Sequence, residues 1–329
     1  MKNRDNRFDN LKGFLIILVV FGHFLSDKTF FSNREMPLIN AVIACIYSFH
    51  MPAMVMISGF FSKQSSQTPG YWKKQIISLL IPFVFFDLLQ WLLISGEFTE
   101  LLYPRFTLWY LLSLFSWKLM LPVVRTFRFP LTLSLVCALL VGLTTADCFL
   151  SISRTVAFFP FFLGGYYLNA NQLEKLRRVP IIVSVLCLAF CLGLAVLLVK
   201  NGVSLQIYHM NAPYSALSLR LRTGLLLRAL VLAMGFIASL SLFALVSAKK
   251  TLLSGLGART ITVYLSHGIL IKLIPLLGIR ISLERQSFAL LGAGVFTASI
   301  CLLFGNRYAA KGFHTVMDWI GRLILKQDA

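Results

Sequence analysis

Arg7-Phe-Asp-Asn-Leu-Lys-Gly-Phe-Leu-Ile-Ile-Leu-Val-Val-Phe-Gly-His23 opens the first apolar run from a basic end and sets one histidine inside it. Lys12 and His23 are eleven residues apart, three helical turns plus about 20°, so one helix face carries both. The rise between them is about 16 Å. That spacing predicts a cation at a membrane surface and an imidazole near mid-depth. An ionisable group at such a depth is costly, which makes His23 a functional candidate by default.

The rest of the chain agrees with a membrane setting. Its 329 residues are 58% hydrophobic and 13% charged, more apolar than a soluble fold of this size requires. The expected class is an all-α polytopic membrane protein with about ten transmembrane helices and a C-terminal amphipathic helix. The net charge of +19 does not point to nucleic acid. The basic residues stand between apolar runs instead of forming a continuous face interleaved with aromatics, so membrane lipids are the expected partner. The first run lacks a small-residue cleavage site and more spans follow it, so it reads as retained. Cys45, Cys137, Cys148, Cys187, Cys191 and Cys301 lie mostly in apolar runs without metal-ligand spacing. They read as packing residues, with neither a disulfide scaffold nor a metal site expected.

Apolar segments of spanning length fall near 12–26, 39–61, 75–95, 106–124, 130–147, 153–169, 180–199, 222–246, 260–277 and 287–305. With the N-terminus inside, twenty of the 31 Lys and Arg residues fall in inner segments, from Lys2, Arg4, Arg7 and Lys12 through to Arg322 and Lys326. Nine fall outside, among them Lys28, Arg34, Arg105, Arg154 and Arg280, while Arg228 and Lys272 lie within spans. That bias predicts both termini in the cytoplasm. Residues 1–306 form the expected integral-membrane domain. Residues 307–329 form the tail, where Phe313, Val316, Met317, Ile320, Leu323 and Ile324 recur at helical spacing as on an interfacial helix. His314 on that tail reads as an ordinary interfacial residue. The loop near 200–221, with Tyr208, His209, Asn211 and Tyr214, is long enough for a small vestibule.

Several polar groups fall inside spans. His23, kept neutral by burial, suits a general base, or else a hydrogen bond between helices. His50 is followed by Pro52, whose ring disrupts a helix, so the pair reads as a polar pocket wall or as a packed kink. Ser58-Gly59 reads as close packing or as part of a polar lining. Asp87 needs a partner such as Arg228, Lys272 or a histidine. Trp109-Tyr110 reads as an aromatic belt or as a sugar-stacking platform. Arg154 either snorkels or binds a phosphate. Tyr264-Leu-Ser-His267 offers a Ser-His pair, read as a second site element or as helix packing. No Walker loop, dinucleotide fingerprint, H-E-x-x-H or G-x-S-x-G is present.

Taken in order, these residues resemble the acyltransferase 3 superfamily of integral-membrane acyltransferases, in its fucose 4-O-acetylase-like branch. The resemblance runs over nearly the whole chain. It is carried by Phe8-Asp-Asn-Leu-Lys-Gly with His23, then His50-Met-Pro with Ile57-Ser-Gly and Leu108-Trp-Tyr-Leu. Phe158-Phe-Pro-Phe-Phe-Leu-Gly and Arg259-Thr with Tyr264-Leu-Ser-His267 complete it. The superfamily signature is an arginine, ten residues, then a histidine. Here Lys12 stands at the arginine position, without arginine's bidentate fork.

The resemblance implies acetyl-CoA as co-substrate, no permanently bound cofactor, and a carbohydrate hydroxyl as acceptor, free, polymeric or lipid-linked. It implies a bacterial inner-membrane location. Lys12, Lys73 and Lys74 become the donor-binding cations and His23 the general base, with a covalent acetyl-histidine relay as the variant. His50, Asp87, Trp109, Tyr110, Arg154 and His267 become acceptor or supporting contacts. A proton-coupled transporter, or a flippase for a glycan precursor, is the competing class, because intramembrane His, Asp and Arg also build proton relays.

Overall fold

A computed structural model describes residues 5–27, 30, 36–63, 68–94, 107–144, 149–278 and 285–325. Among these there is no β-strand. The helices are α1 (Asn6–Ser26), α2 (Pro37–Phe60), α3 (Tyr71–Gln75) continuing through a π-helical turn (Ile76–Leu80) into α4 (Ile81–Ile94), α5 (Trp109–Val124), α6 (Pro130–Leu140) and α7 (Ile152–Tyr167). They are followed by α8 (Ala170–Arg177), α9 (Ile181–Lys200), α10 (Gln206–His209), α11 (Leu221–Leu245), α12 (Leu252–Gly257), α13 (Thr260–Leu276), α14 (Gln286–Phe304) and α15 (Arg307–Ile324). Among the described residues, seven segments are long and apolar enough to cross a membrane: α1, α2, the α3–α4 run, α7, α9, α11 and α14. α5, α6 and α13 are shorter apolar helices. Each expected span therefore falls on an apolar helix, three of them short. Cys148, together with Lys2, Arg4, Lys28, Arg34, Arg105, Arg280 and Lys326, lies outside the described residues.

Local chemistry moves some boundaries. α1 begins at Asn6, before the expected start, because the Asp5 carboxylate accepts the Arg7 N–H at 3.0 Å and caps it. Lys12 is thereby in the second turn and His23 in the last, about 26 Å from Asn6. The imidazole stands near the far end of α1, not midway along it. Pro52 does not break α2, which runs unbroken from Pro37 to Phe60. Its ring seats against Gly235 of α11, where a Cβ would stand 3.0 Å from Pro52 Cγ. Packing against a neighbouring helix supports the backbone where the proline removes a hydrogen bond.

Leu15 and Val20 of α1, Ala53 and Val55 of α2, and Phe161 and Phe162 of α7 are excluded from solvent and mark the centre of the bundle. α9 and α14 turn Leu186, Phe190 and Leu302 outward, as lipid-facing helices do. The Asp9–Gly13 stretch locks α1 onto the α11–α12 connection. Asn10 Nδ2 donates to the Ser247 and Lys249 carbonyls, both at 2.8 Å, while Oδ1 accepts from the Thr251 and Ser254 hydroxyls at 2.7 and 2.5 Å. Gly13 lies against the Leu253 backbone and Gly257 against that of Asp9, with no room for a Cβ at either. Asn10→Ala removes all four bonds at about 1 kcal/mol each net. The detergent-purified variant is expected to melt roughly 5 °C lower. An unchanged melting curve would refute the clasp.

Asn306 caps α15, accepting from Tyr308 and Ala309 N–H at 2.9 and 3.0 Å. The helix turns Ala310, Phe313, Met317 and Gly321 toward the α3–α4 run, where Gly321 meets Ile77 and the Phe313 ring is 6.4 Å from Phe86. Val316, Trp319, Leu323 and Ile324 are exposed. The apolar stripe expected from spacing is thus divided between the bundle and the surroundings.

Candidate active site

Three helix faces converge on one narrow cavity. Lys12, Ile16, Val19 and His23 follow one another along α1. Tyr47, Met51, Met54 and Ser58 do so along α2, and Ile261, Tyr264 and His267 along α13. Members of all three rows line a cavity of about 200 Å³, completed by Leu79 and by Tyr110, Leu111 and Leu114. Its walls are apolar except for Lys12, Thr260 and three further hydroxyls. Tyr110 OH is 2.5 Å from Ser58 Oγ, which itself donates to the Met54 carbonyl. Tyr264 OH donates to the Thr107 carbonyl. Lys12 Nζ pairs with Asp9 at 2.8 Å.

Beyond Val19 and Tyr264 stands a histidine pair. His23 Nδ1 lies 3.0 Å from His267 Nε2, with the rings nearly parallel at 7°. His267 Nδ1 is 3.1 Å from the Val263 carbonyl. A carbonyl only accepts, so Nδ1 carries the His267 proton and Nε2 its lone pair. His23 must then donate from Nδ1, which assigns the lone pair of neutral His23 to Nε2. His267 is fully buried, whereas His23 is partly accessible. The arrangement offers a base nitrogen of fixed tautomer one helical turn beyond an apolar cavity.

Other groups surround the pair. The His50 ring is 6.5 Å from that of His23, and its Nδ1 contacts the Ile46 carbonyl at 2.8 Å. Its buried Nε2 has no partner among the described residues. Tyr47 stands between His23, His50 and His209, with ring centroids 6.0, 4.8 and 4.9 Å away, and its hydroxyl meets Ser26 Oγ at 2.9 Å. Arg154 lies 5.3 Å above the Trp109 ring, and its Nε donates to the His209 carbonyl at 3.4 Å. Burial and then the Arg154 charge pull the His209 imidazole down to about 4, so it is neutral at pH 7. Met210, next in chain, takes a left-handed φ of 55°, a conformation rare outside glycine that fixes the end of α10. Among the described residues, no three His, Cys, Asp or Glu side chains are placed to hold a metal ion.

Of the residues singled out from the sequence, Lys12 and Tyr110 line this cavity, His23, His50 and His267 cluster one turn beyond it, and Arg154 covers Trp109 and reaches the His209 carbonyl. Trp109 and Tyr110 are not a surface belt. Trp109 is buried beneath Arg154 and beside Phe158, at 5.2 Å, and Tyr110 belongs to the cavity wall. In the α13 motif Tyr264, not Ser266, accompanies His267, with rings 5.9 Å apart. Lys73 and Lys74 stand apart from this cavity and line a second one. Asp87 is buried in α4. Lys272 holds Asp27 at 2.6 Å, while Arg228 donates to the Ala212 carbonyl at 3.1 Å and covers the Tyr214 ring. Tyr47 and His209 join the cluster although neither stood among the expected site residues. Tyr47 was legible as the residue one turn before Met51 on the cavity-facing row; His209 ends the four-residue α10, too short to show a period.

Residues of the chain are similar to two bacterial proteins called nodulation protein NolL. The one from Mesorhizobium japonicum is 29% identical over 180 residues, 50% of this chain and 48% of the relative. The one from Sinorhizobium fredii is 36% identical over 86 residues, 25% of this chain and 23% of the relative. The chain thus spans about half the length, or less, of the curated relatives it matches. No solved structure matches it. The acyltransferase domain family matches residues 5–305, from the cap of α1 to the end of α14, and the chain belongs to that acyltransferase 3 family.

Proposed function

We propose that this protein is a membrane-bound O-acetyltransferase that moves an acetyl group from cytoplasmic acetyl-CoA to a carbohydrate hydroxyl of a cell-surface glycan or its precursor. It sits in a bacterial inner membrane with both termini in the cytoplasm, in the sugar-acetylating branch of its family. The observation that carries this reading is the narrow cavity that runs from Lys12 to Val19 and Tyr264, one helical turn short of a hydrogen-bonded histidine pair. The roughly 16 Å from Lys12 to His23 suits a pantetheine arm. The Ser58, Tyr110 and Tyr264 hydroxyls are partners for its amides, and the apolar walls exclude water from the thioester.

The acceptor approaches from the His209 end, where His50 Nε2 accepts a hydrogen bond from the sugar. His23 Nε2 takes the proton of the attacking hydroxyl while the oxygen bonds to the thioester carbonyl carbon. The C–S bond then breaks, and the thiolate leaves with that proton as free CoA thiol. His267 holds the tautomer and stabilises the imidazolium between the two proton transfers.

A deletion strain is expected to make the glycan at normal yield but lighter by one acetyl mass per modified residue. Purified protein in vesicles should move labelled acetyl from acetyl-CoA to that glycan. The four neighbouring imidazoles favour one rival, a proton-coupled transporter. Substrate movement without acetyl-CoA, with unchanged glycan acetylation on deletion, would establish that rival and end this reading.

A further inference from the structure

α15 lies beyond the residues matched by the family, yet it builds a cavity with them. Gly70, Lys73, Lys74, Ile77 and Ser78 form one wall, Ile261 the back, and Phe313, His314, Met317 and Asp318 of α15 the roof, enclosing about 430 Å³. The π-helical turn shapes the wall, and Ser78 Oγ donates to the Lys74 carbonyl at 2.7 Å. Ile261 lines this cavity and the narrow one as well, so the two adjoin on α13.

We propose that this cavity seats the nucleotide end of the thioester donor, an inference that rests on acetyl-CoA being that donor. Lys73, Lys74 and His314 face the phosphates. Ile77, Ile261, Phe313 and Met317 supply apolar surface for a flat base. Asp318 accepts from a ribose hydroxyl or a base amino group, the kind of donor that a bare phosphate lacks. The volume is within the range that holds a nucleotide-sized ligand. A ligand spanning both cavities has an anionic, ring-bearing end here and a slender arm beyond Ile261. α15 is therefore a roof over the donor, and His314 a donor-specificity residue.

The test compares acetyl-CoA with S-acetylpantetheine, which keeps the thioester and arm but lacks the nucleotide and its phosphates. With full-length protein in vesicles, wild type is expected to favour acetyl-CoA. Lys73→Ala/Lys74→Ala and His314→Ala should each raise the KM for acetyl-CoA about tenfold with kcat unchanged. Their rates with S-acetylpantetheine should match wild type, which also shows that they are folded. Equal use of both donors by wild type, or variants that slow both donors alike, would overturn the nucleotide site and leave the donor reading standing. A wild type that uses neither thioester would end the donor reading, and this inference with it.

Discussion

His23→Ala is expected to insert and purify like wild type and to transfer acetyl groups about a hundred- to ten-thousandfold more slowly. The size follows from what general-base catalysis contributes when the base is held in place before the reaction. His23 is so held: the chain from the Val263 carbonyl through His267 assigns its tautomer, leaving Nε2 to accept the hydroxyl proton. His23 is also the one member of the pair with partial access, so a substrate hydroxyl can reach it while His267 stays covered. The measurement is single-turnover transfer of labelled acetyl, with melting temperature as the control for folding. Added imidazole should restore part of the rate by occupying the vacated space. Transfer by His23→Ala at the wild-type rate would remove His23 from the chemistry.

His267→Leu is expected to lower kcat about a hundredfold with little change in either KM. Leucine cannot accept the His23 Nδ1–H, so the tautomer with the proton on Nε2 becomes favoured and the base nitrogen is occupied. His267→Gln places an amide oxygen near the former Nε2 and is expected to return the rate to within about tenfold of wild type. A residue that served only packing would show no such split, since Leu fills the buried space at least as well as Gln. Equal activities for the two variants would refute the positioning role.

These expectations differ in how far the sequence reached. The row from Lys12 to His23 was legible because helical periodicity fixes which residues of one helix share a face. The same arithmetic gives the rows from Tyr47 to Ser58 and from Ile261 to His267 once α2 and α13 are recognised as helices. Periodicity also set the apolar stripe on the tail, but not its division into a face on the bundle and a face away from it. The resemblance singled out Asp9-Asn10-Leu11-Lys12-Gly13 as a motif without revealing that Asn10 and Gly13 serve the seam with the 247–257 segment.

By itself, then, the sequence determined a helical membrane protein, the approximate position of each apolar helix, and the shared face of Lys12 and His23. Those properties depend on interactions local in the chain: hydropathy over a spanning length and the 3.6-residue turn. Only the tertiary structure decided that His23 meets His267, that Lys272 pairs with Asp27, that Tyr47 and His209 join the cluster, and that Lys73 and Lys74 serve a separate cavity under α15. Such partners are set by helix crossings and loop paths between residues as many as 245 positions apart, as between Asp27 and Lys272. Local periodicity says which way a side chain points along its own helix. Only the packing of one helix on another says what it points at.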